Sequence, residues 1–149
     1  MRALIQRVAR ASVSVDGKII SAIEGGLLVF VGIAPLDHDS DVQWLARKVV
    51  QMRLFSDEEG KMNRSVLQAG GQVLLVSQFT LFASTKKGNR PGFSAAGSPD
   101  EAQLVIQRLA EAMKQEGADV ALGQFGAHMQ VDLINDGPVT IWMDTRMPE

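Results

Sequence analysis

The sequence predicts an α+β fold, in which a mixed, largely antiparallel and barrel-like β-sheet carries two main helices on one face. Three observations support this prediction: extended segments come in pairs and clusters, two amphipathic helices are inserted between them, and no glycine-rich dinucleotide fingerprint or phosphate-binding loop is present. The chain has 149 residues, of which 46% are hydrophobic. This size fits one core, and we expect a single domain over residues 1–149.

The first predicted strands form a hairpin. Residues 3–15 alternate loosely between apolar and polar types, and Asp16-Gly17 is a dipeptide typical of a tight turn into residues 19–23. Residues 27–33 are continuously apolar, which is typical of a strand that is covered on both faces. We therefore place this segment at the centre of the sheet.

Further extended segments are predicted in the middle and at the end of the chain. Residues 53–68 are expected to return as short strands around an acidic turn, and residues 72–82 are expected to form the second central strand. Near the C-terminus, His128 lies on the polar face of an alternating segment, and extended structure resumes at Val139.

Two helices are predicted between these strands. Apolar residues follow a helical period from about Asp39, and either Asp39 or Ser40 is expected to cap this helix. The second helix is expected over residues 99–116, because Ser98 precedes a Pro-Asp-Glu start and a glycine follows the end. Its predicted buried face consists of Ala102, Val105, Leu109 and Met113.

The composition excludes several classes of site. The chain has no cysteine, so disulfides, thiolate nucleophiles and sulfur-ligated zinc are excluded. The first residues lack the apolar core of a signal peptide, and no stretch approaches the roughly 20 apolar residues that span a bilayer. A net charge of -2 gives no general reason to expect a polyanionic partner. We expect a cytoplasmic protein that binds neither a membrane nor DNA.

Two polar interruptions of apolar strands are the most informative features of the chain. Ser77-Gln78-Phe79-Thr80 follows an apolar run, and Gly137-Pro138 lies inside the last extended segment. Proline removes a hydrogen-bond donor from the ladder, and breaks of this kind are concentrated at functional positions. The structural alternatives are that Ser77 and Thr80 fill ordinary strand positions and that Gly137-Pro138 belongs to a loop.

Few other residues carry chemistry. Lys86, Lys87 and Arg90 crowd the loop after the first interruption, where they form either a solvated loop or an anchor for a phosphodiester. The two histidines are His38 and His128. Capping and solvation explain the acidic loop around His38, so we expect neither a metal site nor a Ser-His-Asp triad.

These motifs resemble those of the D-aminoacyl-tRNA deacylases, which hydrolyse the ester joining a D-amino acid to the 3′ end of tRNA. The resemblance covers essentially the whole chain and is carried by residues 1–8, Gly32, 55–63, 77–81, 90–91, 123–127, Met129 and 135–140. One departure is Gly92, where the family pattern leads us to expect serine.

The resemblance implies a homodimer without a cofactor, whose two active sites lie at the subunit interface. Gly137-Pro138, matching the family's Gly-cisPro motif, is expected to reach from one subunit into the pocket of the other and to reject L side chains. Such a pocket barely contacts D side chains, so we also expect glycyl-tRNA to be cleaved. Arg7 is expected to hold the Gly-Pro loop or the interface.

The resemblance also assigns the chemistry to the segment from Ser77 to Thr80. Backbone N–H groups of Phe79 and Thr80 are expected to hold the ester carbonyl, while the terminal 2′-hydroxyl of the tRNA helps to activate water. A nucleophilic Thr80 hydroxyl is the alternative. Phe125 and Met129 are expected to line the pocket for the 3′-adenosine.

Two other classes of function stay open at this point. A non-catalytic RNA-binding or dimeric interaction domain would explain the basic loop, although aromatic residues make up only 5% of the chain and tyrosine is absent. A small metal-dependent hydrolase built around His38 is the second alternative, and EDTA tests it.

Overall fold

A computed structural model describes residues 1–148 and has a mixed, nearly barrel-shaped sheet with two helices, which confirms the predicted α+β class. The elements are β1 (Arg2–Val15), β2 (Lys18–Ile23), β3 (Gly26–Gly32), α1 (Asp39–Gln51), β4 (Phe55–Ser56), β5 (Met62–Arg64), β6 (Gln72–Ser77), a 3-10 turn (Phe79–Phe82), α2 (Pro99–Gln115), β7 (Val120–Leu122) and β8 (Gln130–Asp144).

The main sheet has the strand order β2-β1-β3-β6-β7, and β8 pairs with β1. β3 lies in the middle, antiparallel to β1 and parallel to β6, as its continuous apolar sequence predicts. The β1–β2 hairpin is confirmed, and both Asp16 and Gly17 have the positive φ angles that a tight hairpin turn requires.

Apolar side chains pack on both faces of the sheet. The larger cluster lies between the sheet and the two helices and includes Ile5 from β1 and Leu109 from α2. A smaller cluster on other residues of the same strands includes Val8 and Leu28. Successive strand side chains point to opposite faces, so β1 and β3 contribute to both clusters.

The start of α1 differs from the prediction by its cap. The capping residue is His38, not Asp39 or Ser40, and its backbone N–H donates to Asp41 Oδ2 at 2.8 Å. Asp41 stands at the third helical position, from which its carboxylate reaches back to that N–H group. This carboxylate therefore sets the helix start one residue earlier than the sequence indicates.

α2 begins at Pro99 after Ser98, as predicted, and ends at Gln115, one residue short of the predicted end. Gly117 follows with a positive φ angle. The buried face is displaced slightly from the predicted one, because Ala102 and Val105 are only half-buried. The buried residues of the helix are Ile106, Leu109, Ala110, Ala112 and Met113.

The prediction of one strand over residues 72–82 is wrong beyond Ser77. Ser77 is the last residue of β6 in register with β3, and the next N–H, of Gln78, donates to Val31 O at 2.7 Å. β3 itself ends at Gly32, so β6 has no partner strand to pair with beyond this point. It turns instead into the 3-10 segment Phe79–Phe82.

Two other extended predictions are corrected in part. Within residues 53–68, β4 and β5 pair as predicted, but residues 66–68 form a turn. His128 is exposed in the loop before β8, which begins at Gln130, so it does not lie on a strand. Neither helix within residues 1–148 is long and apolar enough to cross a membrane.

Candidate active site

A cavity of about 390 Å³ opens where β3 and β6 end. Ligand sites commonly form at the carboxyl ends of parallel strands, and these two strands are parallel. The walls come from both strand ends, the 3-10 turn and the start of α2: Val31, Ile33, Ser77, Gln78, Phe79, Phe93, Ala96, Gly97, Pro99, Ala102, Ile106, Phe125 and Gly126. None of these side chains is titratable, so the cavity wall offers no general base.

The 3-10 turn supplies two unused backbone donors beside this cavity. Phe79 and Thr80 open the turn, where N–H groups have no acceptor within the turn itself. Throughout residues 1–148, neither N–H group donates to a protein acceptor. The side chain of Thr80 is exposed, and its hydroxyl accepts a hydrogen bond from the Gln78 side-chain amide.

Three phenylalanine residues, Phe79, Phe93 and Phe125, line the cavity. The Phe79 side chain is 56% exposed, and its ring meets that of Phe93 edge to face, with centroids 5.0 Å apart. Phe125 lines this cavity and also a neighbouring one of about 250 Å³ that shares Ser77 and Ile106. The two cavities are therefore neighbours that share part of their walls.

The structure does not place Met129 in the wall of the main cavity. Met129 is half-buried against the smaller core cluster, and its sulfur lies 2.9 Å from where a β-carbon on Gly123 would stand. Gly123 lines the smaller cavity. Met129 thus packs behind the wall of that cavity.

Gly137-Pro138 lies at a break in the β1–β8 ladder. The register between the two strands shifts twice, between Gln6 and Arg10, and the Gly137–Pro138 peptide is cis. Both residues are exposed. Neither belongs to the residues that line the main cavity within the described part of the chain.

Arg7 holds the segment that precedes this dipeptide. Its guanidinium donates from Nη1 to Leu54 O at 2.6 Å and from Nε to Asp136 O at 3.2 Å, and Nε also lies 3.3 Å from the Asp136 carboxylate. The side chain is only 12% exposed. Asn135 binds the residue that follows the dipeptide, because its side-chain amide donates to Val139 O and also to Arg7 O, each at 3.0 Å.

The basic loop lies next to Phe93 along the chain. Lys86, Lys87 and Arg90 are exposed, and among residues 1–148 none of the three forms a salt bridge. A short backbone bridge closes the loop, with Ser84 N to Gly92 O at 2.8 Å and Gly92 N to Ser84 O at 2.9 Å. The three cationic side chains are therefore available to bind an anion.

Comparison with known proteins identifies the family. The family model described as D-Tyr-tRNA(Tyr) deacylase matches residues 4–144. The chain belongs to the D-Tyr-tRNA(Tyr) deacylase family. A relative from Thermomicrobium roseum, named D-aminoacyl-tRNA deacylase, is 52% identical over 145 residues, which cover 97% of this chain and 94% of that protein. A relative of the same name from Dechloromonas aromatica is 52% identical over the full length of both proteins.

A solved structure of similar sequence has nearly the same fold. The structure titled c-Myc DNA Unwinding Element Binding Protein has a TM-score of 0.91 and 40% identity, and the match covers 97% of this chain and 98% of that one. The reference to DNA in this title describes that protein. In the deacylase-family chain described here, the expectation of no DNA partner stays a prediction.

Sequence reasoning missed several residues that shape the cavity of this D-Tyr-tRNA(Tyr) deacylase family member. Ile106 lies on the buried face of α2, where a helical period locates it but gives no sign of a cavity. The loop before α2 carried one available signal, since Phe93 is one of only six phenylalanines. The lining residues not predicted as site residues are Val31, Ile33, Phe93, Ala96, Gly97, Pro99, Ala102, Ile106 and Gly126.

Proposed function

We propose that this chain hydrolyses the ester bond of D-aminoacyl-tRNA, releasing the D-amino acid and free tRNA, and that it spares L-aminoacyl-tRNA. Membership of the D-Tyr-tRNA(Tyr) deacylase family carries the proposal, and it makes the chain a deacylase, that is, a hydrolase. Full-length identity of about one half to proteins named D-aminoacyl-tRNA deacylase supports the same substrate class.

The two unused N–H groups of the 3-10 turn suit the chemical step. Water attacks the ester carbonyl carbon, and the Phe79 and Thr80 amides hold the oxyanion that develops on the carbonyl oxygen. The bond to the 3′ oxygen then breaks, and this oxygen takes up a proton derived from the water. Because no lining side chain is titratable, the neighbouring 2′-hydroxyl of the tRNA itself assists the activation of water.

The chiral test is assigned to Gly137-Pro138 of a second copy of the chain. The dipeptide is exposed and does not line the cavity of its own chain, so it is available to enter the cavity of a partner in a homodimer. Its backbone carbonyls face the substrate's α-carbon there, where an L side chain collides and a D side chain points outward. Rejection by collision discriminates more strongly than a single favourable apolar contact.

The remaining site residues hold the 3′ end of the tRNA. Phe125 contacts the terminal adenosine from the cavity wall, and Met129 supports that wall from behind Gly123. Lys86, Lys87 and Arg90 contact phosphates of the acceptor end, because they are exposed and unpaired in the described residues.

Initial hydrolysis rates with D-tyrosyl-tRNA, L-tyrosyl-tRNA and glycyl-tRNA test this function directly. We expect D-tyrosyl-tRNA to be cleaved at least about 100-fold faster than L-tyrosyl-tRNA, since a steric clash exceeds the roughly 1–3 kcal/mol of a missing methylene. Glycyl-tRNA should also be cleaved, because it has no side chain to reject. The assay contains EDTA, so that full activity also argues against a metal-dependent hydrolase.

Equal rates with the D and L substrates would contradict the chiral assignment. Binding of all three tRNAs without hydrolysis would favour a non-catalytic RNA-binding domain instead. Loss of activity in EDTA with recovery on adding a divalent cation would favour the metal-dependent alternative.

Separate variants of the 3-10 turn test whether the backbone or the hydroxyl acts. Thr80→Val replaces the hydroxyl with a methyl group, and we expect its single-turnover rate to stay within about threefold of the original, because no base activates that hydroxyl. Phe79→Pro removes a backbone donor at the first position of the turn, the position of a helical segment at which proline is best tolerated. Compared with Phe79→Ala, it should lower the rate by about 100-fold or more.

The Phe79→Ala variant is the matched control, because it also lacks the aromatic ring but keeps the N–H group. Complete loss of activity in folded Thr80→Val would restore threonine as the nucleophile. Equal rates in Phe79→Pro and Phe79→Ala would remove the Phe79 amide from the mechanism.

A further inference from the structure

The guanidinium of Arg2 joins the 3-10 turn to two strands of the sheet. Nη1 donates to Leu81 O at 3.0 Å, and Nε donates to Asp144 Oδ2 at 3.0 Å. The same group lies 4.6 Å from the centre of the Phe82 ring and 5.7 Å from that of Trp142. A single side chain from the start of β1 therefore contacts both the carbonyl and the terminal ring of the turn.

The other contact of Phe82 is with the end of β3. Gly32 is the register partner of Arg2, and a β-carbon on Gly32 would lie 3.0 Å from the Phe82 ring and 2.9 Å from Gln78 O. The absence of a side chain at Gly32 lets the turn lie directly on the strand. Phe82 is buried there, 7% exposed, in contact with both register partners.

The turn needs such external support. It spans only four residues, and its hydrogen bond from Leu81 N to Gln78 O is long, at 3.3 Å. Short 3-10 segments have poorer hydrogen-bond geometry than α-helices and gain little stability from their own backbone. A bond from a charged donor to the Leu81 carbonyl is stronger than a neutral one.

Asp144 keeps the guanidinium oriented. Burial acts to raise the pKa of this carboxyl, but hydrogen bonds from the Arg146 N–H and from Arg2 outweigh burial and hold the pKa below its ordinary value. The carboxylate is therefore charged at neutral pH, and the planar fork of Arg2 spans the distance from Asp144 to Leu81.

We propose that Arg2 is a positioning residue for hydrolysis, which fixes the turn Phe79–Phe82 so that the Phe79 and Thr80 N–H groups point at the ester carbonyl oxygen. This inference rests on the proposed function, in which those amides hold the oxyanion. Arg2 itself does not line the cavity, so its effect passes through Leu81 and Phe82.

The test compares Arg2→Met and Arg2→Lys with Arg10→Met. Arg10 stands on the same strand and pairs with Asp132 at 3.1 Å, but it makes no hydrogen bond to the turn, so its replacement is a matched control for losing a strand arginine and its ion pair. We expect Arg2→Met to lower kcat for D-tyrosyl-tRNA by between about 10-fold and about 100-fold with little change in KM. Arg2→Lys recovers part of this loss, and Arg10→Met leaves kcat unchanged.

Amide hydrogen exchange provides a second readout that does not depend on activity. Exchange at the hydrogen-bonded amides of Leu81 and Ala83 should accelerate in Arg2→Met and stay unchanged in Arg10→Met, since only the first variant frees the turn. If Arg2→Met does not fold, Phe82→Leu, which removes the aromatic ring under the guanidinium, replaces it in both measurements.

Unchanged exchange together with unchanged kcat would overturn the positioning role. A raised KM with unchanged kcat would also overturn it, because it indicates a contact used for binding alone. Absence of D-tyrosyl-tRNA hydrolysis by the unaltered protein would instead contradict the proposed function. The exchange measurement would still show whether Arg2 holds the turn in place.

Discussion

Replacement of Gly137 by alanine lowers the hydrolysis of D-tyrosyl-tRNA by about 100-fold or more, a loss typical of a displacement of about 1 Å in a reacting geometry. The expectation follows from crowding at this position. A β-carbon on Gly137 would lie 2.8 Å from Arg7 Nη2 and 3.0 Å from the Val139 side chain. Arg7 cannot retreat easily, because the same guanidinium is bonded to Leu54 O.

The positive φ angle of Gly137 adds a conformational free-energy cost for alanine, and this cost must be distinguished from the effect of the steric clash. Gly137 has a φ of +124°, which L side chains rarely adopt. Gly17, in the β1–β2 turn, has a φ of +77°, and a β-carbon there would have nothing within 4 Å, so Gly17→Ala is the matched control for conformational cost alone. We expect Gly17→Ala to lose about 1–2 kcal/mol of folding stability and no activity.

Steady-state hydrolysis, together with thermal unfolding of both variants, checks this prediction. A folded Gly137→Ala protein with the original rate and the original preference for D over L substrate would contradict the role of the dipeptide. Equal losses of activity in the two variants would also contradict it, because the effect would then come from general destabilisation.

Local sequence signals predicted much of the fold because they act over a few residues. Asp16-Gly17 specifies its turn by its own backbone preferences, and Ser98 with Pro99 marks the start of α2. The end of β6 was not predictable in this way. β6 stops at Ser77 because its partner β3 ends at Gly32, and the apolar pattern of one strand does not report the length of its neighbour.

In the candidate site, too, features with a local sequence signal were predictable and features set by packing of distant segments were not. The two polar interruptions were visible in the sequence because each departs from a strand pattern. The cavity between the first interruption and α2 was not visible, since Phe93, Ala96 and Ile106 meet there only through packing of distant segments. Arg2 likewise carries no local signal of its role, because its contact with Leu81 crosses 79 positions of the chain.

The central claim is that each site combines the cavity of one chain with Gly137-Pro138 of another. Two inactive variants test it when they are mixed: Gly137→Ala, which disables the dipeptide, and Ala96→Trp, which fills the cavity from a half-buried lining position. In a heterodimer of the two, one site receives both defects and the other receives neither. Each variant alone, and mixed with itself, serves as the control.

Hydrolysis of D-tyrosyl-tRNA is measured after the two variants are unfolded and refolded together. Random pairing makes about half of the dimers mixed, and each mixed dimer has one intact site, so we predict recovery to about a quarter of the original activity. If the dipeptide and the cavity of the same chain formed the site, both sites of every dimer would be defective. A mixture that stays as inactive as its two components would therefore contradict the claim.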